Sequence, residues 1–160
     1  MHNRRANENR SNNLKFNGHE LELVVKTLDK MKTTIDIIYY LMEHENSESF
    51  VLLIVTAKDL ELNHLLDTQK RETDILFEID KEESLYVILC QDTKVDGGYR
   101  FAERIIHHIE SEKGNETYCT VMEIKSTYYT PQQIILKLLE TFIKAKQTNK
   151  TGEIIYRSLN

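Results

Sequence analysis

The chain has 160 residues, of which 40% are hydrophobic and 29% charged, with a formal net charge of −5. That length fits one domain with a core of its own, since domains commonly run about 100 to 150 residues. The acidic balance argues against a general nucleic-acid surface, which needs cations clustered against phosphate. No apolar run approaches the roughly 20 residues of a membrane span and no signal-peptide pattern opens the chain, so a soluble cytoplasmic protein without membrane insertion is expected.

Residues 1–15, MHNRRANENRSNNLK, combine Asn, Arg and Ser with almost no apolar content and are expected to form a disordered tail. From there Leu21, Val24, Leu28, Met31, Ile35, Ile38 and Met42 recur at alternating spacings of three and four, which predicts a helix over about residues 20–45. Two arrangements suit that stripe equally: a coiled coil that pairs two copies, or a helix laid on the sheet of its own domain. Glu43 to Ser49 is a polar connection into a strand at Phe50 to Ala57, and Lys58 to Lys70 leaves room for one short helix. Ile75, Phe77 and Ile79 alternate with Glu78 as in a half-buried strand. Leu85 to Cys90 is a continuous apolar run, read as a strand covered on both faces. Between them Asp80 to Ser84, DKEES, is short and polar enough only for a hairpin connection.

After Gln91-Asp92-Thr93 the period changes to about 3.6. Phe101, Ala102, Ile105, Ile106 and Ile109 fall on one side of a helix, and Arg100, Arg104 and His108 on the other. Gly97 and Gly98, near its start, are read as points where a backbone without side chains turns from strand into helix. Thr117 to Ile124 reads as a strand, Pro131 opens an apolar helix at its first turn, and Ile154 to Tyr156 reads as a last short strand. The order implies an α/β (α+β) fold, a mixed central sheet flanked by helices, with Phe50–Val55 and Leu85–Cys90 as central strands.

Few residues invite chemistry. Cys90 and Cys119 fall on strands without CxxC spacing or a neighbouring His pair, so they read as core residues rather than a disulfide or zinc site. Neighbours on a helix such as His107 and His108 point about 100 degrees apart and do not easily face one ligand. Tyr128 and Tyr129 could stack on a base, although tyrosines bridging core and solvent are commoner. Arg71-Glu72-Thr73-Asp74 spells RxxD and has two readings. It can be a surface ion pair contributing about 0 to 1 kcal/mol. It can also be a binding pair, in which the Arg71 fork donates to a phosphate or a guanine edge and Asp74 accepts from guanine nitrogens.

Strand, hairpin, strand, Asp-Thr and then a helix with Ala102-Glu103-Arg104-Ile105 resembles the GGDEF superfamily of bacterial diguanylate cyclases, in which RxxD precedes the GGDEF hairpin by five residues. Here RxxD is followed by ILFEI and then DKEES, so the spacing is kept and the signature is lost. The segment FIKAKQTNKTGEIIY is similar to the family's closing ALYxAKxxGRN. The likeness can be followed over roughly residues 21 to 158, and residues 16–160 are taken as a single GGDEF-like domain.

That resemblance implies a set of expectations. In the family RxxD, with an arginine at the place of Arg104, forms the inhibitory site that binds cyclic di-GMP, so Arg71, Asp74 and Arg104 are the candidate ligand residues. Arg100, one turn earlier, is either an auxiliary cation or an exposed charge. A cyclase ends its first strand in an Asp-x-Asp pair that holds magnesium through hard oxygen ligands, whereas this chain has Val55 and Ala57 there. Asp80 and Lys81 replace the two turn glycines, Glu82 and Glu83 are out of register with the acidic pair, and Asn63 matches a base-contacting asparagine by position only. The implied protein is a catalytically inactive receptor, without metal or cofactor, in which cyclic di-GMP changes contacts with a partner protein. Related degenerate domains regulate exopolysaccharide synthesis or secretion, which implies a place in exopolysaccharide and biofilm control. The alternative is a nucleotide-independent interaction or dimerisation module, acting through the N-terminal helix or a sheet edge. An enzyme with unusual residues is the third reading, disfavoured by the missing carboxylates.

Overall fold

A computed structural model describes residues 15–45 and 47–159. The expected tail lies outside the described residues except for Lys15. The elements in order are α1 (Gly18–His44), β1 (Phe50–Lys58), α2 (Asn63–Gln69), β2 (Ile75–Asp80), β3 (Leu85–Gln91), α3 (Val95–Ser111), β4 (Asn115–Ile124), α4 (Pro131–Gln147) and β5 (Ile154–Leu159). Each expected element is present.

The five strands form one sheet in the order β2-β3-β1-β4-β5. β1 pairs antiparallel with β3 and β4, β2 pairs antiparallel with β3, and β4 pairs parallel with β5. The continuous apolar runs therefore sit where both faces are covered, as a fully buried strand requires. In β1, Phe50, Leu52 and Ile54 face α1 and α4, while Val51, Leu53, Val55 and Ala57 face α2 and α3. β3 alternates in the same way, with Leu85, Val87 and Leu89 on the first side and Tyr86, Ile88 and Cys90 on the second. β5 extends three residues beyond the expected Tyr156, and its end is held by Leu159, which is buried, and by Ser158 Oγ donating to Glu123 Oε1 at 2.8 Å.

Helix α1 starts at a capping box in which Asn17 and Glu20 each bond the other's backbone N–H. Its stripe is laid on the sheet of the same chain. Val24, Met31, Ile35 and Ile38 are buried and Leu28 and Met42 pack against them, with Leu21 alone exposed. Each fully buried side chain of this kind contributes about 1.5 to 3 kcal/mol, so a coiled coil through the same stripe would first have to lift α1 off its sheet. α4 starts at a second capping box, Thr130 with Gln133, followed by Pro131 in the first turn. No helix among the described residues is long and apolar enough to cross a membrane.

The role expected for Gly97 and Gly98 is corrected. Both lie inside the first turns of α3, and neither has a positive φ. A Cβ on Gly98 would stand 2.8 Å from Val121 Cγ1 and 2.9 Å from Val51 Cγ1. The glycine there allows the helix to approach β1 and β4 closely, which is a packing requirement and not a turn.

Candidate anion-binding site

The chain enters β2 through a tight turn in which Asp74 N donates to Arg71 O at 3.0 Å and Arg71 N donates to Asp74 Oδ2 at 2.8 Å. An Asp side chain that bonds nearby backbone stabilises such a turn. The same carboxylate receives the Arg71 side chain, with Nε at 3.0 Å and Nη2 at 2.8 Å from Oδ1. Nη2 also donates to Gln91 O and Thr93 Oγ1, both at 2.8 Å, and Gln91 Nε2 donates to Thr73 O at 2.7 Å. The RxxD turn is thus tied to the end of β3. Nη1 takes part in none of these bonds. The Asp74 side chain is 2% exposed and that of Arg71 51%. Bonding to Asp74 raises the guanidinium's affinity for its proton, so Arg71 is a permanent cation.

Arg104 reaches the same place from α3. It is exposed, and its guanidinium lies 5.1 Å from the centre of the Phe101 ring. Arg71, Asp74 and Arg104 line one cavity of about 140 Å³ together with Cys90, Thr93, Gly97 and Phe101. Burial pushes the Cys90 thiol up to about 12 and Asp74 pushes the same way, while Arg71 and Arg104 both oppose them. The two arginines thus border one cavity. Both oxygens of Asp74 already accept from Arg71, so its present role is to orient that side chain.

Other candidates are placed elsewhere. Arg100 lines a separate groove with Tyr99, Glu103 and Tyr156, away from the arginine pair. His107 borders a groove between α3 and β5, and its ring stands edge-on to that of His108 at 6.1 Å. Tyr128 is exposed, whereas Tyr129 packs against the core, carries Lys137 Nζ 5.2 Å over its ring, and accepts a hydrogen bond from the Tyr39 hydroxyl at its carbonyl. Both cysteines are buried free thiols.

The end of β1 and the β2–β3 hairpin border a larger cavity of about 540 Å³. Ala57 lines it, and Val55 and Ala57 are both fully buried with side chains that carry no oxygen for a cation. Among the described residues no group of three or more His, Cys, Asp or Glu side chains is placed to hold a metal ion. The hairpin is pinned by Thr56 Oγ1 donating to Glu83 O at 2.7 Å and Ser84 Oγ donating to Leu60 O at 2.8 Å. From α1, His19 contacts the Glu83 carboxylate and Lys26 stands 3.6 Å from Asp80. Nothing in the sequence signals these α1 contacts, because they join segments far apart in the chain. Thr93, which helps hold Arg71, was legible only as part of the Asp-Thr pair after β3.

A mixed sheet with helices on both faces, an antiparallel hairpin led by the RxxD turn and a parallel last strand has the architecture of the GGDEF and nucleotidyl-cyclase fold. Among solved structures the chain is similar to the diguanylate cyclase SiaD of Pseudomonas aeruginosa, determined in complex with its activator SiaC, with a TM-score of 0.66 and 12% identity. The similarity covers 81% of this chain and 57% of that one, so it shows the fold. No family model and no curated protein matches the chain.

Proposed function

We propose that this chain is a catalytically inactive GGDEF-like receptor, a single domain over residues 16–160, that binds cyclic di-GMP at Arg71, Asp74 and Arg104. The observation that carries this reading is the single cavity shared by Arg71 and Arg104, which come from a turn and a helix far apart in the sequence. Two guanidiniums suit a ligand with two phosphates, and each charge-assisted bond contributes roughly 1.5 to 3 kcal/mol. At about 140 Å³ the cavity is smaller than the roughly 300 to 1,000 Å³ of sites that enclose a ligand. It takes one phosphate or one guanine edge, with the rest of the dinucleotide lying over exposed surface. Asp74 acts chiefly by holding Arg71 in place.

Val55 and Ala57 in place of metal carboxylates support the absence of cyclase activity. Because SiaD was determined in complex with an activator protein, a protein partner is the natural target of the signal. Exopolysaccharide and biofilm control, in the cytoplasm, is the process that the resemblance implies. One observation favours the second reading, a nucleotide-independent interaction module. Both Asp74 oxygens and two of the three Arg71 nitrogens are satisfied inside the protein.

Calorimetry with cyclic di-GMP separates the two readings. Arg104→Ala is the cleaner variant because Arg104 is exposed, whereas Arg71 also holds the turn together. Wild type should bind, and the variant should bind at least about tenfold more weakly, a loss of about 1.4 kcal/mol. Absence of heat from wild type at about 100 micromolar protein leaves only the interaction module. Turnover of GTP with magnesium would overturn the inactive assignment.

A further inference from the structure

Gly97 and Gly98 are neighbours in the first turns of α3, and packing explains only one of them. A Cβ on Gly98 would run into Val121 and Val51, whereas a Cβ on Gly97 would meet a single atom, Thr93 Cγ2 at 3.2 Å. Gly97 is exposed, and no positive φ demands a glycine there. Only proline is a poorer helix former than glycine, so a bare position here weakens α3, and nothing inside the fold requires it.

The same position borders the cavity of about 140 Å³ shared by Arg71 and Arg104. Gly97, Phe101 and Arg104 are spaced by four and by three, so they lie along one side of α3 and form its wall of the cavity. Phe101 and Arg104 bring side chains to that wall. At Gly97 the wall is helix backbone, which a ligand approaches closely only where no side chain holds it off.

The surrounding groups select the chemistry of that ligand. Both oxygens of Asp74 accept from Arg71, and the Cys90 thiol bonds to the same carboxylate. Thr93 Oγ1 donates to Gln91 O and accepts from Arg71 Nη2, both at 2.8 Å. The acceptors of the cavity are thus engaged inside the protein, while Arg71 Nη1 and the guanidinium of Arg104 carry donors that none of these bonds uses. Gly97 also lies in the first turn of a helix whose N-cap makes no side-chain bond, where the partial charge of the helix is positive. Two cations and a surplus of donors suit an anion, and in a cyclic dinucleotide the anionic group is the phosphate.

We propose that Gly97 is a specificity-determining residue of this site: a phosphate of the cyclic dinucleotide lies against the bare backbone of α3 at Gly97, between Arg71 and Arg104, with the bases over exposed surface. The contact presupposes the receptor reading above and decides, between a phosphate and a guanine edge, for the phosphate.

Calorimetry of the full chain tests it with cyclic di-GMP and with cyclic di-AMP, which has the same two phosphates and lacks the guanine edge. Wild type should bind both. Gly97→Ala should weaken both by about tenfold or more, the equivalent of one charge-assisted bond. The new methyl also presses on Thr93, which holds Arg71. Thr93→Ser removes the Cγ2 methyl and keeps the hydroxyl, so it is the background that separates the two effects. There Gly97→Ala should keep or raise the thermal midpoint, because alanine favours the helix, and should still weaken binding by about tenfold.

Equal binding by wild type and Gly97→Ala would overturn the contact and leave the receptor reading standing. So would the same affinity in T93S/G97A as in Thr93→Ser, which would trace the loss to Thr93, or a lower midpoint there, which would give the glycine a packing reason. Binding of cyclic di-GMP alone, or a loss on Gly97→Ala confined to it, would put the guanine edge in the cavity and overturn the phosphate assignment. A wild type that binds neither dinucleotide removes the receptor reading and the Gly97 contact together.

Discussion

Arg71 and Asp74 are unequally buried, and this makes their removal unequal in cost. Asp74→Ala strips an acceptor from three donors: Arg71 N at 2.8 Å, Nε at 3.0 Å and Nη2 at 2.8 Å. Nη2 keeps Gln91 O and Thr93 Oγ1, and water can reach a side chain that is 51% exposed. Solvent screening therefore holds the cost near the low end for charge-assisted bonds, about 2 kcal/mol. Arg71→Ala leaves a carboxylate that is 2% exposed with a backbone N–H and the weak Cys90 thiol donor as partners. A buried charge without its partner costs about 3 kcal/mol or more. In urea unfolding Arg71→Ala should thus be the more destabilising variant, and the double variant should cost less than the sum of the two. For a chain of this size, 2 to 3 kcal/mol corresponds to a fall in Tm of roughly 4 to 12 °C. A loss below about 0.5 kcal/mol for Arg71→Ala, the range of an ordinary surface substitution, would refute this account of the turn.

Gly98→Ala should destabilise despite the better helix propensity of alanine. The new methyl meets Val121 and Val51 at under 3 Å, and overpacking of about 1 to 3 kcal/mol outweighs a propensity gain of about 1 kcal/mol. Chemical denaturation checks the sign. Ile35→Ala should cost about 2 to 5 kcal/mol without changing the mass seen in sedimentation, because Ile35 is buried against its own sheet. A change of oligomeric state with unaltered stability would instead return the stripe to a coiled coil. Stability should also fall in alkali. Burial pushes the Cys90 and Cys119 thiols from 9.0 up to about 12. The folded chain therefore keeps protons that the unfolded chain releases, and stability present below pH 9 is lost between about pH 9 and 12. The slope is about 1.4 kcal/mol per pH unit for each thiol. Urea midpoints measured at pH 8, 9.5 and 11 should decline in that order, and a flat series contradicts the burial of these groups.

Much of the fold was legible because it is written in local periodicity. The unbroken apolar runs of β1 and β3 marked interior strands, and Phe101, Ala102, Ile105, Ile106 and Ile109 marked the buried side of α3. The end of β5 was missed because Arg157 and Ser158 are polar and exposed. Their strand geometry comes from pairing with β4, a contact that no local pattern records. Gly98 was misread for a related reason: a glycine demanded by a neighbouring sheet looks the same in sequence as one demanded by a turn.

The candidate site divides along the same line. Sequence alone determined the order and kind of the elements, the RxxD spacing and the apolar side chains at Val55 and Ala57, since each depends on residue identity at a known offset. Tertiary structure decided that α1 lies on its own sheet, that Arg104 arrives beside Arg71, and that Asp74 faces inward to hold an arginine. Those outcomes depend on which distant surfaces exclude water from one another, and an apolar stripe or a guanidinium specifies its chemistry without specifying its neighbour.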